Sequence, residues 1–473
     1  MPFRSFNEFT VLEPIPTDYL VGFRPLGGEF KVDFYTLSKI ISGGLTISPN
    51  VLYVTLSGND NTFRGIAENE AFRTIKRACY EASQNPGTRY TIFVRSGDYN
   101  EINPIYVPPN TSLIGDNLRR TNIFPNNPMY DILWVTNADY IYGFTFRGHR
   151  SPGAAVAFPQ RDASRLDYVA AFRSPGLSAT PPTEFQRTIV TSPYIQGSSS
   201  ITRSTSPGAN NAGAGCRIDG SLVNGYLRSM VMDSYTQFNE GGIGVHIINN
   251  GYAQLVSTFT ICCTHGVLCE SGGGCDINTS NCSFGNYGLA SIGKSPTFVL
   301  SGRLTTQADQ GTDKFTIYQA VSTNLALCPA LGLIFSLSGD ETLYTISSAA
   351  KIAPDTYDIY IEPPVTLEKT FETDRVVYFY IRSNILASAI TFEYIGTGTD
   401  LTRSLPILGG QTKVENEVLQ EAPGVVFFTA TNQSGDFRIG EGFTIRQATG
   451  TIEGRTFERS IFSLVTPFTL AIE

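Results

Sequence analysis

Apolar and polar residues alternate with a period of two through most of this chain, in short runs broken by turn residues. Val51-Leu-Tyr-Val-Thr, Tyr90-Thr-Ile-Phe-Val, Pro104-Ile-Tyr-Val, Thr111-Ser-Leu-Ile-Gly, Thr121-Asn-Ile-Phe, Ile132-Leu-Trp-Val and Tyr140-Ile-Tyr-Gly-Phe-Thr-Phe each read as a strand. Such alternation puts one set of side chains on a buried face. Pro108-Pro109-Asn110 and Asn126-Asn127-Pro128 supply corners between them. One segment, Ala71 to Ser83, switches to helical spacing. Phe72, Ile75, Cys79 and Ala82 share one face there, with Asn69 as the expected N-cap. A lone amphipathic helix ahead of many strands is suited to covering the open end of a stack.

A longer period overlies the short one. Gly244, Gly266 and Gly288 are 22 residues apart, and the intervening segments align so that Leu255 falls on Ile277. Met232-Asp-Ser-Tyr-Thr matches Val256-Ser-Thr-Phe-Thr at an offset of 24. Strand-length segments repeating at this spacing predict parallel strands stacked coil upon coil, each burying its inner face on the next. Asn249, Asn250, Asn278 and Asn281 suit turns and side-chain ladders between coils.

The organisation follows. Residues 1–50 read as a separate hairpin module, with Thr17-Asp-Tyr-Leu-Val-Gly-Phe leading through Gly27-Gly28 into Glu29-Phe-Lys-Val-Asp-Phe-Tyr. Two strands alone bury too little to be stable, so this module needs a partner. Residues 51–295 read as the stack, interrupted at about 160–215 by Pro/Ser/Thr/Gly-rich loops. Residues 296–473 lose the period and read as antiparallel β, a sandwich or barrel. The expected fold is therefore all-β: parallel coils, one capping helix, then an antiparallel C-terminal region.

Composition narrows the function. Only 16% of residues are charged and the net charge is -8, with no Lys/Arg run. That balance argues against nucleic acid as a partner, because phosphate binding draws on clustered cations. No apolar stretch of about 18 residues predicts membrane insertion, and the N-terminus lacks a signal-peptide pattern. Synthesis in a cytoplasm is expected. Five of the eight cysteines lie between Cys262 and Cys282 without paired zinc spacing, so stacked free thiols are expected and no metal. No cofactor motif is present.

An enzyme of this architecture would set acids on one strip, where stacking brings neighbouring coils to about 4.8 Å. Asp219, Asp233, Glu240, Glu270 and Asp276 are available, with Asp233 and Glu270 the candidate catalytic pair. The register separates them: Asp233 aligns with Ser257 and Thr279, Glu270 with Ile248, and Asp276 with Gln254. His246 and His265 are three positions out of register, and His246 reads as a hydrogen-bonded strand residue. Tyr357, Tyr360, Tyr378 and Tyr380 read as cross-strand packing pairs that also permit sugar stacking.

Val51-Leu-Tyr-Val, Gly58-Asn-Asp, Ala71-Phe-Arg-Thr-Ile-Lys-Arg-Ala, Ile92-Phe-Val-Arg-Ser-Gly-Asp-Tyr and Val107-Pro-Pro-Asn-Thr-Ser-Leu-Ile-Gly-Asp resemble the entry of pectin-lyase-like right-handed parallel β-helices. Ala154-Ala-Val-Ala-Phe-Pro, Gly242-Ile-Gly-Val-His-Ile-Ile-Asn-Asn-Gly and Gly435-Asp-Phe-Arg-Ile-Gly resemble virion structural proteins of tailed phages of the cyanophage type. The resemblance implies a homotrimeric fibre, tailspike or baseplate component located in the virion. Its attachment residues would be Asp18, Tyr19, Leu20, Val21, Gly22 and Phe23, its partners other tail or baseplate proteins and host-surface glycan. The alternative it carries is a tailspike depolymerase, a glycoside hydrolase or polysaccharide lyase, although no catalytic motif transfers.

Overall fold

The structure is a computed structural model. It describes residues 50–61, 65–85, 87–158, 189–206, 209–222, 229–285, 287–318, 333–340, 342–361 and 364–393. It also describes the strands Tyr19–Phe23, Glu29–Asp33, Leu408–Gly409, Val425–Thr429, Thr444–Ile452 and Arg455–Ser463. The chain separates into two compact units, Met1–Val51 and Leu52–Glu473. In the first, Tyr19–Phe23 pairs antiparallel with Glu29–Asp33, the expected hairpin. Asp18 and the Gly27-Gly28 turn lie outside the described residues.

The second unit is mostly β. A sixteen-stranded sheet and an eight-stranded sheet carry the parallel strands, and a closed six-stranded barrel is antiparallel. The predicted register holds at its centre, where Leu255 pairs with Ile277 and Val267, beside Gly266, pairs with Leu289. The two sheets face one another across one apolar core that runs from Leu52 to Ala387. Strands alternate between inner and outer positions, so successive inner residues stack in columns, as in Leu113, Ile141, Ile195, Met232, Leu255 and Ile277.

The glycine period has a packing cause. Ser200, Gln237, Thr260 and Cys282 form one inner column of the sixteen-stranded sheet. The glycines of the facing sheet sit where that column leaves no room. A Cβ on Gly215 would strike Gln237 Oε1, and one on Gly266 would lie 2.6 Å from Thr260 Oγ1 and 2.5 Å from the Gly288 carbonyl oxygen.

A second device turns the chain between the two halves of the large sheet. Gly143, Gly197, Ser234, Ser257 and Thr279 occupy the same step of successive repeats with φ of 81°, 52°, 54°, 49° and 48°. One left-handed residue redirects the backbone in each repeat, and the hydroxyl residues accept that conformation without glycine's freedom. For this reason the run predicted over Tyr140–Phe146 divides into Tyr140–Tyr142 and Thr145–Arg147.

The helix is shorter than predicted. It spans Ile75–Ser83, and Thr74, not Asn69, is its N-cap, accepting from the Arg77 N–H at 3.2 Å. Phe72 is held outside the helix by its bridge to Val54, and Asp60 Oδ1 accepts from the Arg73 and Thr74 N–H groups. Phe72, Ile75, Cys79 and Ala82 are all buried in the core, as the helical spacing required. Glu101 completes the cap from a later strand, accepting from Ile75 N at 2.8 Å and Lys76 N at 3.2 Å.

Two predicted boundaries change. Part of the predicted loop is strand: Tyr194–Gln196, Ser199–Arg203 and the start of Ala214–Asp219 lie in parallel register. Their inner residues Ser199, Ser200 and Thr202 are polar yet buried, which made the segment look like loop sequence. The C-terminal region is also not antiparallel throughout. The barrel spans Leu300–Leu304 to Val376–Ile381, after which Asn384–Glu393 returns to pair parallel with Gly274–Ser283. Val425–Thr429 then pairs parallel with Asn384–Glu393. The barrel is thus inserted within the parallel region and has its own core around Phe315, Phe335, Tyr344 and Phe379. Its entering and leaving segments are tied by Ser383 N to Gly293 O at 2.8 Å and Ser295 N to Ile381 O at 2.7 Å.

Burial of one imidazole predicts an acid response. His149 is fully buried, and burial lowers its pKa from 6.5 to about 4. With the folded value depressed, its contribution is complete above pH 6.5 and is lost as pH falls toward 4. The loss is on the order of 3 kcal/mol. Glu101 acts oppositely, because burial raises it to about 7, so its contribution is complete below pH 4.5 and is lost as pH rises through 7. Comparing wild type with His149→Gln in urea melts at pH 6.5 and 4.5 isolates the histidine. The variant should lose less stability between them, and equal losses would refute the assignment.

Candidate functional site

The two candidate acids stand on different sheets. Asp233 ends a strand of the sixteen-stranded sheet, and Glu270 ends one of the eight-stranded sheet. Asp233 pairs with Gln196 and Val256, and Val256 in turn with Asn278. The expected alignment with Ser257 and Thr279 is therefore off by one, since this coil spans 23 residues from Met232 to Leu255. Glu270 aligns with Ile248 and Asp276 with Gln254, as expected.

Each acid is already engaged. Asp233 Oδ2 accepts from Tyr194 OH at 2.9 Å and Gln196 Nε2 at 3.2 Å, while Oδ1 accepts from Ser234 Oγ at 2.8 Å. Glu270 Oε2 is 2.7 Å from His246 Nε2, and that bond holds its carboxyl below the usual range. A carboxyl held below the usual range, as at Glu270, is poorly suited to general-acid work, which needs a raised pKa. Burial lowers the pKa of His265, which stacks on Tyr287 with ring centroids 5.2 Å apart.

Asp233 belongs to a larger surface that sequence spacing did not reveal. Parallel register sets Tyr140, Tyr194, Val231, Gln254 and Asp276 in one outward column and Tyr142, Gln196, Asp233, Val256 and Asn278 in the next. Tyr140 stacks on Tyr142 at 6.1 Å and meets Tyr194 at 5.7 Å. Tyr140 OH donates to Gln196 Oε1 at 2.7 Å, and Tyr252 OH donates to Asp276 Oδ2 at 2.7 Å. Burial, with the Asp233 carboxylate, pushes the Tyr194 hydroxyl up to about 12, which keeps it a donor. Within these strands, from Thr91 and Phe93 to Asn278 and Leu386, no outward position is Lys or Arg. Phe93, Tyr142, Val256 and Leu386 remain well exposed along it.

The barrel tyrosines do not form such a surface. Tyr357 is buried, Tyr378 packs on Phe298 at 5.0 Å, and the Lys294 ammonium lies 4.1 Å from the Tyr380 ring centre. Asn249 and Asn250 take left-handed turn conformations, with Asn249 Nδ2 donating to Asp219 Oδ1 at 3.0 Å. Cys262, Cys263, Cys269, Cys275 and Cys282 are free, and all but Cys262 are buried. Among the described residues, no group of His, Cys, Asp and Glu is placed to hold a metal ion, and no helix is long and apolar enough to cross a membrane.

No family model and no curated protein matches the chain. Among solved structures, ORF18 of Geobacillus virus E2 is similar at 11% identity over 75% of this chain and 84% of that one. The TM-score is 0.23, a similarity that fixes neither fold nor function. The class defined by the structure is a mostly β protein of large parallel sheets with an inserted antiparallel barrel.

Proposed function

We propose that the chain is a structural component of a tailed-phage virion, a fibre- or spike-like rod that attaches to tail or baseplate through residues 1–50. In this reading the parallel sheets wind as a right-handed parallel β-helix, and three copies assemble side by side. The attachment strand is Tyr19–Phe23, with Asp18 before it, and host-surface glycan is a further partner. The single observation carrying the proposal is the outward tyrosine face of the sixteen-stranded sheet. Interface cores are rich in tyrosine and depleted of charged residues, and at this face Tyr140, Tyr142 and Tyr194 cluster with no lysine, arginine or glutamate beside them. Its two acids spend their charge on tyrosine hydroxyls.

The depolymerase alternative asks for two cooperating carboxylates. Asp233 and Glu270 stand on separate sheets, each bonded to its own partner, which favours the structural reading. Release of reducing ends or unsaturated sugars from host polysaccharide, abolished by Asp233→Asn or Glu270→Gln, would reinstate that alternative.

Mass in solution tests the assembly. The wild-type protein should run as a trimer, and Tyr142→Arg should shift it to monomer by placing an unpaired cation at the interface. A wild-type monomer would refute the assembly itself. A Tyr142→Arg trimer as stable as wild type would refute the role of this face.

A further inference from the structure

A separate concave feature lies at another corner of the stack, away from the tyrosine face. It is a cleft of about 290 Å³ bordered by Arg203, Glu240, Cys262, Thr264 and Phe284, near the lower end of the ~300–1,000 Å³ typical of small-molecule sites. Arg203 and Glu240 are in register on adjacent strands, with Nε and Oε2 3.5 Å apart and both side chains largely exposed. The Arg203 guanidinium rests 5.6 Å from the Phe238 ring centre. Phe284 is 37% exposed, so part of its ring is left to solvent. The rim is prepared in advance, because Asn211 Oδ1 accepts from Thr205 N and Asn211 N donates to Ser204 Oγ.

We propose that this cleft binds the ring of an uncharged sugar, its C–H face against Phe284 and its hydroxyls shared between Arg203 and Glu240. The pairing of guanidinium with carboxylate leaves no net charge to attract a phosphate or a uronate. What remains is a fork of donors and one acceptor carboxylate able to receive two neighbouring hydroxyls, beside an apolar ring. That set complements vicinal hydroxyls on a saccharide. Only the source of the sugar rests on the virion reading; the site itself does not.

Saturation-transfer NMR and calorimetry on the full-length protein test it, using D-glucose, D-galactose and D-mannose as free sugars and as neutral oligosaccharide chains, with sulfate as the anion control. At least one neutral sugar should bind, and Phe284→Ala and Glu240→Gln should each weaken it about tenfold or more, the first by removing the apolar contact and the second a hydrogen bond to a charged group. Glu372→Gln, exposed on the barrel, should leave binding unchanged. Glu240→Gln is exposed and isosteric, so it reports even if Phe284→Ala fails to fold. Binding of chains alone supports a polysaccharide source, and equal binding of free sugars supports a small-molecule source. No binding of any sugar, equal affinity in both cleft variants, or sulfate binding at Arg203 would overturn the proposal. A sugar-binding monomer would overturn only the assembly, and a trimer that binds no sugar would overturn only the cleft.

Discussion

Gly266→Val should destabilise the parallel stack by about 3 kcal/mol or more and sharply lower its soluble yield. The first added carbon would lie 2.5 Å from the Gly288 carbonyl oxygen and 2.6 Å from Thr260 Oγ1. The Gly288 oxygen is ladder backbone, held by the pairing of His265–Glu270 with Tyr287–Ile292, so it cannot swing aside as a side chain can. Thr260 is inside the core, with Cys282 next to it in the column. Gly266→Ala should show the same defect in smaller measure. Combining it with Thr260→Ala should recover only part of the loss, because the backbone contact persists. Urea unfolding of the three variants provides the check. Wild-type stability in Gly266→Ala would show that the glycine period has some cause other than packing.

That glycine column was legible in the sequence because three consecutive coils share nearly the same length, and Leu255 over Ile277 followed from it. Elsewhere the signal failed for physical reasons. Ser199, Ser200 and Thr202 fill an interior whose opposite wall is glycine-rich, so a buried strand carried the composition of a loop. The repeat from Met232 to Leu255 spans 23 residues, one fewer than the 24 implied by matching Met232 to Val256, which displaced the register of Asp233 by one step. Glu101 caps a helix from another element, and local sequence gives no sign of that contact. The tyrosine face was hidden for a related reason. Tyr140 and Tyr194 are direct neighbours across 54 positions of chain, so the surface exists only once the coils are stacked. The barrel interrupted the parallel pattern and hid its continuation at Asn384–Glu393.

Asp131→Ala should cost about 3–5 kcal/mol, the range for removing one partner of a buried ion pair. Asp131 is 2% exposed and accepts from Arg217 Nη2 through both oxygens, at 2.7 and 2.8 Å. The same carboxylate accepts from Trp134 Nε1 at 2.9 Å and Ala154 N at 2.8 Å. It thus ties three strands of the eight-stranded sheet, Leu133–Trp134, Ala154–Ala157 and Ala214–Asp219, beside the buried cluster of Tyr106, Trp134, Ala157 and Ala214. Without it, the Arg217 cation would keep the Pro152 carbonyl, 2.6 Å from Nη1, and lose its countercharge. The damage comes from that stranded cation more than from the lost attraction. Asp131→Ala with Arg217→Met should therefore be more stable than Asp131→Ala alone, since both charges and their desolvation cost leave together. Chemical denaturation of the two single variants and the double variant measures the coupling. Additive costs would mean that Asp131 and Arg217 stabilise the sheet independently, Asp131 through its bonds to Trp134 and Ala154 alone.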